Sequence, residues 1–149
     1  MKKFFGLAIV FYLFVLVASA FGAQRQQVRA DLKIVDDHVG IIVKQVANLV
    51  ASKRATTTEQ QAIVSHSSVL SDAMLTAITT VSAKASDQEL PVTAAEKQQV
   101  AAQIAKFDAE FPAFTAAINA LKDDDGKKAV QSILAEFPGL LDTIHSEVK

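Results

Sequence analysis

Seven apolar residues between Val100 and Leu121 recur in steps of four and three: Val100, Ile104, Phe107, Phe111, Phe114, Ile118 and Leu121. Residues three and four apart share one face of an α-helix, so this spacing predicts a helix with a single apolar stripe. Three phenylalanines crowd the middle of the stripe, and Pro112 stands among them, where a straight helix disfavours it. The same rhythm returns three more times. Val28, Leu32, Val35, Val39, Ile42, Val46 and Leu49 mark a helix from Gln24 to about Ser52, with Gly40 inside it. Ile63, His66, Leu70, Met74, Ala77 and Val81 mark another, from about Thr57 to Ser86. Val130, Leu134, Phe137, Leu141, Ile144 and Val148 mark the last, from Lys127 to about Glu147. Four such stripes, short links and no strand-like alternation predict an all-α fold, an up-down-up-down antiparallel four-helix bundle.

The links carry helix-start chemistry. Thr57 and Thr58, with Gln60 and Gln61 three residues on, are candidate caps for the second helix. Pro91 breaks the chain, and Thr93 with Glu96 forms a capping box for the third helix. Asp123-Asp124-Asp125-Gly126 is a polar connection in which Asp124 or Asp125 can cap the fourth. Ala109-Glu110-Phe111-Pro112 recurs as Ala135-Glu136-Phe137-Pro138. Each proline lacks the N–H that would reach the carbonyl four back, Asp108 or Leu134, so the third and fourth helices are expected to kink at Pro112 and Pro138.

Residues 1–20 have the form of a secretory signal: Lys2 and Lys3, an apolar run from Phe4 to Val17, and Ala18-Ser19-Ala20 as a small-x-small cleavage site. Cleavage is expected after Ala20, with Gly22 as second choice; an uncleaved anchor over Phe4 to Ala23 is the competing reading. A single helical-bundle domain over 21–149 follows. Loss of Lys2 and Lys3 takes the 15 basic residues to 13 against 16 acidic, a net charge of −3. That balance argues against nucleic acid as a partner and against steering to anionic membranes. The chain has no cysteine, so thiol catalysis and thiolate metal sites are excluded and the fold must be held by its core.

Candidate chemical sites fail one by one. An EF-hand loop with Gly126 at its sixth position would put Leu121 and Ser132 at the first and last ligand positions, both unsuitable. Asp142-x-x-His145 has the spacing of a di-iron bundle element, but its required second copy is missing. Ser65, Ser67 and Ser68 flank His66 without the sharp strand-to-helix elbow of a serine hydrolase. A non-enzymatic protein without cofactor or metal is therefore expected.

A mismatch suggests another role. Large rings on helices three and four face Val, Ala, Thr and Ser on helices one and two, which can leave an apolar cavity between helices. Its expected wall is His66, Leu70, Met74, Phe107, Phe111, Phe114, Ile118, Phe137 and Leu141, with His66 as the one polar group, or as a satisfied core-edge histidine. His66-Ser67-Ser68-Val69-Leu70, the helix from Ala73 to Ala77, Leu90-Pro91-Val92-Thr93, Phe111-Pro112-Ala113-Phe114 and Ala117-Ile118-Asn119-Ala120-Leu121 together carry a family likeness. The stretch from Gln61 to Leu121 resembles the fungal secreted hydrophobic-surface-binding proteins, related to cell-wall galactomannoproteins. Asp123 to Lys128 departs from that family's pattern. The resemblance implies a secreted, extracellular helical domain, in contact with cell wall or membrane periphery, that adsorbs to hydrophobic surfaces or holds a long-chain, fatty-acid-like lipid. The alternative is a secreted structural or interaction protein with a fully packed bundle and no small-molecule ligand.

Overall fold

The structure, a computed structural model, describes residues 2–82 and 91–149, with side chains from Arg25 onward. Five helices follow one another: α1 (Lys2–Ala51), α2 (Thr57–Val81), α3 (Ala94–Asn119), α4 (Asp124–Leu134) and α5 (Phe137–Val148). They make a four-helix, largely antiparallel all-α bundle whose fourth arm is α4 and α5 in succession. The most extensive packing is α2 on α3 and α1 on α2, while α4 and α5 lie across both α1 and α3.

The stripes meet in one core. All seven stripe residues of α1, from Val28 to Leu49, are buried, and Val100, Ile104, Phe107, Phe114, Ile118 and Leu121 join them from the third segment. A fully buried Leu, Ile or Phe contributes about 1.5–3 kcal/mol relative to exposure, so a cluster of this extent holds the fold without disulfides. On α2 the seam runs Ile63, Ser67, Leu70, Met74, Ala77 and Val81. His66, expected on that stripe, lies one position to the side and is half-buried. Ser67 takes the seam position because its hydroxyl donates to the Val64 carbonyl at 2.9 Å, which removes the cost of burying it. Gly40 faces open space, so it is tolerated rather than required by close packing. Gly126 differs: a Cβ there would lie 2.6 Å from the Leu49 side chain, so its bare backbone lets the first turn of α4 press onto the end of α1.

Helix ends are set by charged caps, and two expected caps shift by one residue. Thr56 caps α2, with its hydroxyl accepting from the Glu59 N–H and the Glu59 carboxylate accepting from the Thr56 N–H. A carboxylate holds that N–H more strongly than the amides of Gln60 or Gln61 would. Glu59 also accepts from the Lys122 N–H at 3.0 Å, joining the start of α2 to the end of the third arm. These bonds, the one from the Thr56 hydroxyl foremost, hold the Glu59 carboxyl below its ordinary pKa. Thr93 and Glu96 cap α3 as expected. Asp123, not Asp124 or Asp125, caps α4 through the Gly126 N–H. Asp124 and Asp125 then fall in the first turn, where negative charge complements the helix dipole.

Helix α1 closes in a Schellman turn. The Arg54 N–H reaches the Leu49 carbonyl at 2.8 Å and the Lys53 N–H the Val50 carbonyl at 2.9 Å. Lys53 is therefore held at φ 59°, the left-handed region that glycine occupies without a Cβ penalty. Lys53→Gly is expected to stabilise the protein by about 1 kcal/mol, read as a higher midpoint in urea.

The fourth segment is two helices, not one kinked helix. The break falls at Ala135-Glu136, where the Glu136 N–H turns back to the Ile133 carbonyl at 3.1 Å. Pro138 sits in the first turn of α5, where its missing N–H leaves nothing unpaired. Pro112 behaves differently, since α3 runs through it to Asn119.

The expected signal segment lies in α1, whose backbone is helical from Lys2; the side chains before Arg25, including the Ala18–Ala20 cleavage site, lie outside the described residues. Among the described residues, no helix is long and apolar enough to cross a membrane. The second helix, expected to reach Ser86, ends at Val81, and residues 83–90 lie outside the described ones.

Candidate functional site

The stripe on α3 and the first turn of α5 bring four rings together at the bundle's waist. Phe107 lies 5.6 Å from Phe111 and 6.0 Å from Phe137, centroid to centroid, both stacked. Phe111 lies 5.2 Å from Phe137 and 6.5 Å from Phe114. Separations of about 4.5–7 Å are contact distances for aromatic pairs, so the rings themselves fill the space between them. Phe107, Phe114 and Phe137 are wholly buried; Phe111, which touches all three, is only partly so and forms the cluster's outer ring. Leu70, Met74, Ile118 and Leu141 are buried in the same core, so eight of the nine expected wall residues lie in that core or, for Phe111, pack against it.

The ninth, His66, faces elsewhere. Its Nδ1 pairs with Glu110 Oε1 at 2.5 Å, bridging α2 and α3 at the edge of the core. The other two histidines are paired in the same manner. His38 Nε2 meets Glu136 Oε2 at 3.0 Å while its ring stands edge-on to Phe137. His145 Nε2 meets Asp108 Oδ2 at 3.0 Å, joining α5 to α3. The repeated Ala-Glu-Phe-Pro segments thus do parallel work: each glutamate takes a histidine from a neighbouring helix, and the two phenylalanines that follow meet each other. Ser65, Ser67 and Ser68 donate to carbonyls of their own helix.

Other polar contacts went unread in the sequence. Arg25 is buried and forks onto Glu96, with Nη2 to Oε2 at 2.8 Å and Nη1 to Oε1 at 3.2 Å; Nη2 also donates to the Pro91 carbonyl at 2.9 Å. Burial opposes ionisation of Glu96, but hydrogen bonds from Thr93 and Arg25 outweigh it and keep its pKa below the ordinary value. One signal was available: Arg25 stands three residues before Val28, on the extension of the α1 stripe. At the opposite end Arg54 bonds Asp123 through Nε at 3.1 Å and Nη2 at 2.8 Å, fastening the α1–α2 link to the cap of α4.

A cavity of about 140 Å³ lies away from the rings, between the end of α1 and the start of α4, lined by Gln45, Leu49, Arg54, Asp125, Gly126, Ala129 and Val130. Pockets for lipid-sized ligands run to about 300–1,000 Å³, so this one suits water. The chain matches no known family model, and no curated protein and no solved structure shows a significant likeness to it.

Proposed function

We propose that this chain is a secreted, non-enzymatic binder of lipids or hydrophobic surfaces, and that its binding surface is its own core. One observation carries the reading: the aromatic cluster is shared between α3 and an arm that is broken at Ala135-Glu136 and is the least extensively packed part of the bundle. Swinging α5 outward parts Phe137 from Phe107 and Phe111 and uncovers a continuous apolar face without melting α1, α2 or α3. Amphipathic helices opened in this way lie on an interface with their apolar stripes buried in it. The contacts between rings favour this opening over a preformed lipid cavity. The resemblance to hydrophobic-surface-binding proteins and the signal-like residues 1–20 support the same reading. So does the sequence of neighbours, α1–α2–α3–fourth arm, which fits an up-down-up-down bundle with Pro112 placed to bend its third arm and the fourth arm broken just before Pro138.

The test exploits the absence of native cysteine. Asp108→Cys and His145→Cys, joined by a short bismaleimide, tie α5 to α3. The tied protein is expected to lose most of its adsorption to alkyl-coated beads and phosphatidylcholine vesicles, while the untied double variant keeps it. Equal adsorption by both would overturn the reading. A second reading, a structural or interaction module, draws on Ile34, Ile41, Val64, Val69 and Leu75, which are exposed on the outer sides of α1 and α2. Full adsorption by the tied protein, with a partner held through those residues, would favour it.

A further inference from the structure

We propose that Asp31 of α1 and Glu147 of α5 form a proton-sharing latch that holds the last turn of α5 on α1 in acid and releases it as the solution becomes neutral to alkaline. The inference rests on the reading of α5 as the part of the bundle that moves, and names what governs the movement.

Asp31 is buried, 8% exposed, and its Oδ2 accepts from the Gln27 amide at 2.9 Å. Glu147 Oε2 is buried without a hydrogen-bond donor. Two carboxylates cannot satisfy each other, because neither carries a hydrogen. One proton between them changes the contact into a hydrogen bond from Glu147 to Asp31 and removes one of the two buried charges. Of the cations on α1 near Asp31 in sequence, Lys33 is paired with Asp37, Arg29 is exposed, and Arg25 is committed to Glu96 and to the Pro91 carbonyl, on the side of α2 and α3. On α5 the charged neighbours are His145, paired with Asp108 of α3, and Lys149 at the exposed end. Along the same length α3 adds Lys97 and Lys106. The charge that bears on Glu147 is that of Asp31.

Burial foremost, and the Asp31 charge with it, push the Glu147 carboxyl from its ordinary 4.5 up to about 7. The sign follows from linkage. A carboxyl raised in the closed state contributes its stability in full below about 4.5 and loses it as pH rises through about 7. The proton leaves to solvent, two like charges remain at the contact, and the end of α5 lifts. Ile144, which this turn buries, is then uncovered with its neighbours on α1. Glu59, Glu96 and Asp123 have lowered pKa values and act in the opposite sense: their stabilisation is present above the ordinary carboxylate range and lost below it. All three stay ionised from pH 5 to pH 8 and add nothing to the change across that window.

Hydrogen exchange of the backbone amides of residues 137–148, normalised for intrinsic rate and measured on the purified protein without lipid at pH 5, 6, 7 and 8, tests the proposal. Protection is expected to fall at least about tenfold between pH 5 and pH 8, since each pH unit above the unperturbed value is worth a factor of ten up to the raised one. Glu147→Gln supplies a permanent donor to Asp31 and is expected to keep the pH 5 protection at pH 8; Asp31→Asn is expected to do the same from the other side. Protection independent of pH, or the same loss in Glu147→Gln as in the parent, would overturn the latch. Adsorption to alkyl-coated beads at both pH values separates the two readings. Adsorption that ignores a working latch counts against the surface-binding reading alone, and adsorption with an α5 that never responds to pH counts against the latch alone.

Discussion

Phe107→Ala is expected to lower folding stability by about 3–5 kcal/mol, the cost of a fully buried phenylalanine whose site cannot collapse. The ring stacks on Phe111 along its own helix and on Phe137 across to α5, so its removal empties space on both sides of the α3–α5 contact. Urea unfolding followed by far-UV circular dichroism measures the loss as a lower midpoint at unchanged slope. Phe111→Ala, one turn along the same stripe, provides the internal comparison. Its ring is partly exposed, so about half the loss is expected. If Phe111 cost as much as Phe107, the cluster would have no outer ring, and the place where opening begins would have to lie elsewhere.

Arg25→Ala is expected to cost about 2–4 kcal/mol, near the range for removing one partner of a buried ion pair. Four groups lose a donor at once: both Glu96 oxygens, the Pro91 carbonyl and the Val81 carbonyl at the end of α2, the last reached at 3.5 Å. Glu96 keeps its capping bonds to Thr93 and is a quarter exposed, which holds the figure below that of a fully enclosed carboxylate. Arg25→Lys keeps the charge but has no planar fork, and about half of the loss is expected to remain. A double-mutant cycle with Glu96→Gln isolates the pair, and coupling below about 0.5 kcal/mol would show that Arg25 acts chiefly through the carbonyls.

The four arms were legible because a buried face imposes a period, and nothing else in the chain competes with it. Val28 to Leu49 is the clearest instance, with seven positions read and seven buried. Thr93 and Glu96 were legible for a related reason: the capping box is a local device whose partners are three residues apart. Thr56 was missed because Thr57 and Thr58 offer the same hydroxyl, and only the carboxylate of Glu59 decides among them. The break at Ala135-Glu136 was read three residues late. Proline marks where a helix cannot continue, but a helix also starts readily on it, and Pro138 begins one. Of the nine residues proposed for one interior space, the eight apolar ones follow the stripe. His66 departs from it because a seam that steps 4 and 3 from Ile63 passes through Ser67. Least legible were Arg25 with Glu96, His38 with Glu136, and Asp31 with Glu147. Such pairs depend on the register between helices far apart in sequence, which no single helix encodes.

The split fourth arm also bears on the order in which the molecule forms. Helices α1, α2 and α3 pack as successive neighbours joined by short connections, so their contacts close small loops and are expected to appear early. Helix α5 returns to α1 across roughly a hundred residues, as in the contact of His38 with Glu136, and its docking closes the largest loop in the bundle. During synthesis the rings of Phe107 and Phe111 emerge before Phe137 exists to cover them. A chain extended only through α3 would present those rings to any apolar molecule it met, and that molecule would compete with the chain's own final helix for the same seat.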